Sequence, residues 1–221
     1  MSRAVDRADR FIEDCRQESL SFLEEGVYKK WTRQLKGDVS KHRFEHILGV
    51  IQTAIYLAKV HDVNVDQCKV AAMLHDCAKN KEKEYFSLAV EKGLMNEDGW
   101  SDSKVFHAEL GSVVAQMIYG VEDRVVLEAI RNHTTGAPDM DKVSKVVYLA
   151  DMVEEGRDLP HLTKLRELAM EDLDIGVYAA ITQTLYYLLD TDASIDLRAV
   201  KTRNSLIERI TMERLEKAHL E

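Results

Sequence analysis

Pro138 and Pro160 are the only prolines in the chain, so before residue 138 nothing of that kind interrupts a helix. A helical period then recurs from segment to segment. Between 41 and 61 the apolar residues Ile47, Val50, Ile51, Ala54, Ile55, Leu57 and Ala58 fall at helical spacing. Residues 6–36 read as a charged amphipathic helix or helix pair broken by Gly37-Asp38, and 66–92 as a helix carrying His75-Asp76 followed by a charged stretch. Residues 93–104 form a loop in which Trp100 is a packing residue.

His107 opens the next helix, which Gly120 ends, with Glu122 and Asp123 in the first turn of the helix that follows. That helix reaches His133 and stops at Thr134-Thr135-Gly136-Ala137-Pro138. Asp139 is the expected N-cap of a helix holding Val143, Val146, Val147, Ala150 and Asp151. Helices over 161–171 and 174–190 follow, then one mostly charged, solvated helix from Ser194 onward. No strand pattern emerges. The expectation is an all-α protein: one helical bundle over 25–190, with helical appendages at 1–24 and 191–221.

Hydrophobic residues make up 45% of the 221, enough for a sizeable core, and the formal net charge is -9. Such a surface argues against a nucleic-acid polymer as partner, which would call for basic patches. It does not exclude a small phosphorylated substrate, because a unit charge ~20 Å away contributes only about 0.2 kcal/mol in water. Cys15, Cys68 and Cys77 are odd in number and form no CxxC pair, which disfavours a disulfide scaffold or zinc ribbon. The N-terminus lacks an apolar signal core and no apolar run is long enough for a bilayer, so the expected location is the cytoplasm.

Against this apolar background His75-Asp76 stands out, within Val70-Ala71-Ala72-Met73-Leu74-His75-Asp76-Cys77-Ala78. Burying an imidazole beside a carboxylate is costly without compensation, and a divalent metal is the usual compensator. Helical spacing turns four further polar residues inward: His46, His107, His133 and Asp151. Six such donors exceed a tetrahedral site. They suit two metals sharing a bridging carboxylate, for which Asp76 is the choice because it lies between the two ligand subsets. Mixed imidazole and carboxylate donors favour Fe, Mn, Zn, Co or Ni over Ca or Mg. Two metals sharing a water would provide hydroxide at neutral pH and bind phosphoryl oxygens. Lys79, three residues after Asp76, and Arg157, after Gly156, are the candidate phosphate contacts. Lys79 also lies in a charged run, which leaves a purely solvated role open.

His46, His75-Asp76 and Asp151 resemble the H…HD…D signature of the HD-domain metal-dependent phosphohydrolases. His42-Arg43-Phe44-Glu45-His46, Leu74-His75-Asp76-Cys77-Ala78-Lys79, His107-Ala108, Ile130-Arg131-Asn132-His133-Thr134-Thr135-Gly136 and Tyr148-Leu149-Ala150-Asp151 with Glu154-Glu155-Gly156-Arg157 together resemble one branch, the symmetrical bis(5′-nucleosyl)-tetraphosphatases. The resemblance spans roughly 25–190. It implies an all-helical HD domain with a di-iron centre held by His46, His75, Asp76, His107, His133 and Asp151, and cleavage of diadenosine tetraphosphate to two ADP. Asp76 and Lys79 are the catalytic candidates. Lys79, Arg157, Arg131, Thr134 and Gly136 are the substrate-binding candidates. The branch commonly has proline where Glu155 stands, so the Arg157 loop is expected to be less rigid, with a carboxylate near the arginine. Iron is the expected metal, with Mn, Co or Zn as alternatives.

Competing readings are a phosphohydrolase for another nucleotide and a non-catalytic nucleotide-binding protein. His42, His61, His161 and His219 have no assigned role and are expected at the surface. Cys77 is expected to be packing. The apolar stripe of 174–190 is core or an oligomer contact, which leaves a homodimer open.

Overall fold

The computed structural model describes residues 2–218, and among them there is no strand. Twelve helices follow in order: α1 (Ser2–Glu24), α2 (Gly26–Asp38), α3 (Lys41–Val60), α4 (Val65–Leu74), α5 (Glu82–Glu91), α6 (Phe106–Tyr119), α7 (Arg124–Asn132), α8 (Lys142–Val153), α9 (Leu162–Glu171), α10 (Leu173–Asp190), α11 (Leu197–Ile207) and α12 (Met212–Lys217). The all-α expectation holds.

The apolar face read from α3 is the centre of the core. Ile47, Val50, Ile51, Ala54, Ile55, Leu57 and Ala58 are all buried. α3 packs on α4 and α8, while α7 packs on α4, α6 and α8. The resulting core brings the ligand-bearing ends of these helices together. Polar caps fix where several of them start. Ser40 accepts from the Arg43 amide, Asp123 from Val125 and Val126, and Asp172 from Asp174 and Ile175. Gly120 ends α6 in the left-handed conformation, as expected (φ 69°).

Several boundaries differ from the sequence reading. His75-Asp76 does not lie within a helix: α4 ends at Leu74 and the pair begins the turn that follows. The helix pair ends at Gly37-Asp38 as read, with both residues inside the last turn of α2. Asp123 is the N-cap of α7, so Glu122 lies outside its first turn. Asp141, not Asp139, caps α8 by accepting from the Ser144 amide. Asp139 instead adopts φ 59° and pairs with Arg209.

The terminal helices are not appendages. Cys15, Phe22 and Leu23 of α1 are buried, and α1 packs on α3. The single C-terminal helix is two, α11 and α12, and although most of the segment meets solvent, Ala199, Thr202, Leu206, Ile210, Leu215 and Ala218 are buried and tie it to the core. All three cysteines are buried and free. No described helix is long and apolar enough to cross a membrane.

Candidate metal centre

The six inward residues converge. His46 comes from α3, His75-Asp76 from the turn after α4, His107 from the first turn of α6, His133 from the end of α7 and Asp151 from α8. Three groups have ligand atoms all within 4.8 Å of one another: His46, His75 and Asp76; His75, His133 and Asp151; and Asp76, His107 and His133. Asp76 faces both ways. Its Oδ2 lies 3.5 Å from His75 Nε2, while its Oδ1 lies 3.3 Å from His107 Nε2 and 3.7 Å from His133 Nε2. Asp151 Oδ1 is 3.0 Å from His46 Nε2 and 3.9 Å from His75 Nε2.

The imidazoles are oriented through their other nitrogens. Nδ1 of His75 donates to the Ala72 carbonyl (2.7 Å), Nδ1 of His133 to that of Ile130 (2.7 Å) and Nδ1 of His107 to that of Lys104 (2.8 Å). A carbonyl can only accept, so each Nδ1 carries the proton and each Nε2 presents a lone pair. His46 Nδ1 faces Glu154 Oε1 at 3.1 Å. Yet the Nε2 atoms of His46 and His75 lie 3.3 Å apart, as do those of His107 and His133. The His107 and His133 lone pairs, facing at that separation, are unfavourable without a cation between or beside them. This donor set fits divalent transition metals, and the orienting acceptors are those that metal-ligating imidazoles use.

The electrostatics agree with that fit. Burial lowers the pKa of His75 to about 4 and that of His107 to about 3, so both stay neutral and able to ligate at neutral pH. Burial opposes ionisation of Asp76, but His75, His133 and His107 around it hold its pKa well below the ordinary value. Asp151 is shifted down against its burial, mainly by the His46 hydrogen bond. His46 moves the other way: burial would lower its pKa, but Asp151 and Glu154 together raise it. The two carboxylates therefore favour positive charge on this ring.

Two contributors were not assigned from sequence. Arg43 Nη1 donates to Asp76 Oδ2 at 2.7 Å, and Glu154 orients His46. Both lie inside quoted motifs. Arg43 stands three residues before His46, on the same helix side, and that spacing was the available signal. Gly49, one turn after His46, makes room for Glu154, because a Cβ there would collide with Glu154 Oε2.

A cavity of about 1160 Å³ opens over the cluster, lined by Asp76, His107, His133 and Asp151 as well as Arg43, Lys79, Lys104, Thr134 and Arg157. Its four basic residues (Arg43, Lys79, Lys104, Arg157) are outnumbered by five aspartates (Asp76, Asp102, Asp151, Asp192, Asp196). Side chains alone give a slightly anionic floor, and bound cations would reverse its sign. Lys79 Nζ lies 2.8 Å from His107 Nδ1, and burial lowers its pKa. Arg157 pairs with Asp151 through Nη2 and donates from Nε to the Asp151 carbonyl at 2.7 Å. The carboxylates near Arg157 are thus Asp151 and, 4.0 Å away, Glu154, while Glu155 is exposed.

Arg131 and Gly136 are not among the residues lining this cavity. Arg131 is exposed on α7, 3.9 Å from Glu128. Gly136 has φ +62°, and a Cβ there would lie 2.6 Å from Thr202 Cγ2, so its smallness serves packing. His42 and His161 are exposed, whereas His61 is half-buried with Nε2 2.7 Å from the Ala169 carbonyl; His219 lies outside the described residues. Trp100 packs edge-on against Phe86 and Phe106, and Cys77 is buried with Sγ 3.4 Å from the Gly111 carbonyl, both as expected.

A helical fold that gathers histidines and aspartates beneath a polar cavity is the architecture of a metal-dependent hydrolase, and the comparisons agree. Residues 43–156 match the HD domain, and the chain belongs to the HD-domain family of hydrolases. It is 33% identical over 174 residues to the symmetrical bis(5′-nucleosyl)-tetraphosphatase of Halalkalibacterium halodurans, a match covering 78% of this chain and 93% of that protein. It is 32% identical to the Bacillus subtilis protein of the same name, covering 78% and 94%. A crystal structure of a predicted HD superfamily hydrolase involved in NAD metabolism from Clostridium acetobutylicum superposes with a TM-score of 0.73 at 28% identity, covering 83% of this chain and 98% of that one.

Proposed function

We propose that this enzyme hydrolyses dinucleoside tetraphosphates symmetrically, releasing two nucleoside diphosphates, ADP when the substrate is diadenosine tetraphosphate. The observation that carries the reading is a meeting of two cavities at His107, on the edge of the cluster. Beside the large cavity lies a second of about 740 Å³, and both are lined by Lys79, Asp102, Ser103, Lys104 and His107. A polyphosphate with a nucleoside at each end calls for two arms diverging from a central cationic point. The names of the bacterial relatives point to the same substrate.

His46, His75, Asp76, His107, His133 and Asp151 would hold two metal ions, iron by preference, with one Asp76 oxygen directed to each ligand group. When bound, such a pair supplies Lewis-acid charge and an activated water. Lys79 and Arg157 border the cavity, where they can bind non-bridging phosphate oxygens. Arg43 balances part of the Asp76 charge and holds that carboxylate in place. The lowered pKa of Lys79 makes its ammonium a readier proton donor to a departing phosphate than that of an ordinary lysine. We place this chemistry in the cytoplasm.

Product analysis is the test. Purified enzyme given diadenosine tetraphosphate should yield ADP alone. ATP plus AMP, or turnover only of mononucleotides or cyclic dinucleotides in a parallel panel, would overturn the reading.

A further inference from the structure

The wall of the large cavity extends beyond the matched HD residues. Tyr187, Thr191, Asp192, Ile195 and Ala199, from the end of α10 through the turn into α11, all line it, and all lie beyond residue 156. This wall is anchored on both sides. Thr202 of α11 is fully buried, with Oγ1 sharing its proton between the carbonyls of Arg198 (2.8 Å) and Thr135 (3.0 Å). The second bond reaches the loop that follows His133, where Gly136 packs against the Thr202 methyl. On the other side, Arg203 Nε donates to Thr182 Oγ1 of α10 at 3.0 Å, and its guanidinium lies 5.2 Å from the Tyr178 ring centroid.

On this wall Tyr187 is 65% exposed, and none of the ring contacts among the described residues involves it. An aromatic ring left open in a cavity offers a stacking face, which any nucleobase can use. Thr134 lines the same cavity, and its buried Oγ1 has no hydrogen-bond partner. A buried hydroxyl without a partner is costly and suits a ligand's polar group. Arg157 and Lys79 supply the cationic side of the same space.

We propose that Tyr187 is a base-stacking residue of the substrate cavity, presented by a wall that α11 fastens to the His133 loop through Thr202. The inference rests on the nucleotide substrate proposed above. Because stacking reads a π-face rather than an edge, it implies tolerance among bases at this arm.

The test uses the full-length, metal-loaded enzyme and its Tyr187→Ala and Tyr187→Phe variants. Binding of ADP and of inorganic pyrophosphate is measured by calorimetry, alongside KM and kcat for diadenosine tetraphosphate. Tyr187→Ala should weaken ADP about fivefold or more while leaving pyrophosphate affinity unchanged, with most of the kinetic loss in KM. Tyr187→Phe should behave like wild type. Equal ADP affinity in wild type and Tyr187→Ala, or equal weakening of ADP and pyrophosphate, overturns the inference alone. A wild-type enzyme that neither binds ADP nor cleaves the dinucleotide overturns the substrate reading and this inference together.

Discussion

Asp38 and Asp76 are equally hidden, each with a side chain 3% exposed, and each is paired with a cation. Around Asp38 the accounting closes. Lys81 Nζ donates to Oδ1 at 2.8 Å, while Tyr85 Oη at 2.6 Å and Gln34 Nε2 at 2.8 Å donate to Oδ2. One anion meets one cation and two neutral donors, and α2 is tied to α5. Around Asp76 it does not close. Arg43 supplies one donor, but the nearest other groups are imidazole nitrogens whose protons lie on their far side. Acceptor capacity left over in a buried cluster marks a site for a cation. A buried ion pair with nothing left over marks a structural joint.

If the contrast is sound, substitutions in the two clusters should separate activity from stability. Asp76→Ala should cut hydrolysis at least about a thousandfold, the equivalent of several kcal/mol of metal-derived stabilisation, with helix content by circular dichroism unchanged. Turnover near the wild-type rate would remove Asp76 from the chemistry. Glu154→Ala frees His46 Nδ1 from its acceptor and should weaken metal retention against a chelator about 10–100-fold. Retention equal to wild type would show that Glu154 does not orient the ligand.

The Asp38 cluster should respond in the opposite sense. Asp38→Ala strands the buried Tyr85 hydroxyl and should lower unfolding free energy in urea by about 1–3 kcal/mol while sparing kcat and metal content. Burial works against the Asp38 carboxylate, but the Lys81, Tyr85 and Gln34 bonds outweigh it and hold its pKa below the ordinary value. A depressed folded-state pKa gives stability that is complete above the unfolded value, about 4, and is lost as pH falls through the folded one. The stability gap between wild type and Asp38→Ala should therefore be full at neutral pH and narrow below about pH 4. A gap independent of pH would mean that the carboxylate's charge contributes nothing. The smallest effect belongs to His42→Ala. Although His42 lies one turn before His46, it is exposed, and its loss should change stability by less than about 0.5 kcal/mol and leave metal content intact.

Much of this was readable from sequence because helical periodicity is local. The inward spacing of His46 and Asp151 follows from their own helices' apolar faces, and both reach the cluster. What escaped was of two kinds. Where two residues of the same type precede one apolar run, spacing alone cannot choose: the sequence points to Asp139 as the cap, and Asp141 fills the role. Where a contact joins distant segments, no local period reports it. The bond from Thr202 to the Thr135 carbonyl spans 67 residues, so the sequence reads α11 as part of an appendage although its first turn lines the cavity. His75-Asp76 was rightly singled out for its buried polarity, yet placed inside a helix, because the apolar run continues past the point where α4 ends.

The most direct test of the central contrast is elemental analysis of wild-type protein purified without chelator, beside Asp76→Ala and Asp38→Ala. The account predicts about two transition-metal ions per chain in wild type and Asp38→Ala, with a marked loss in Asp76→Ala. A well-folded wild-type protein that holds no tightly bound transition metal would contradict it.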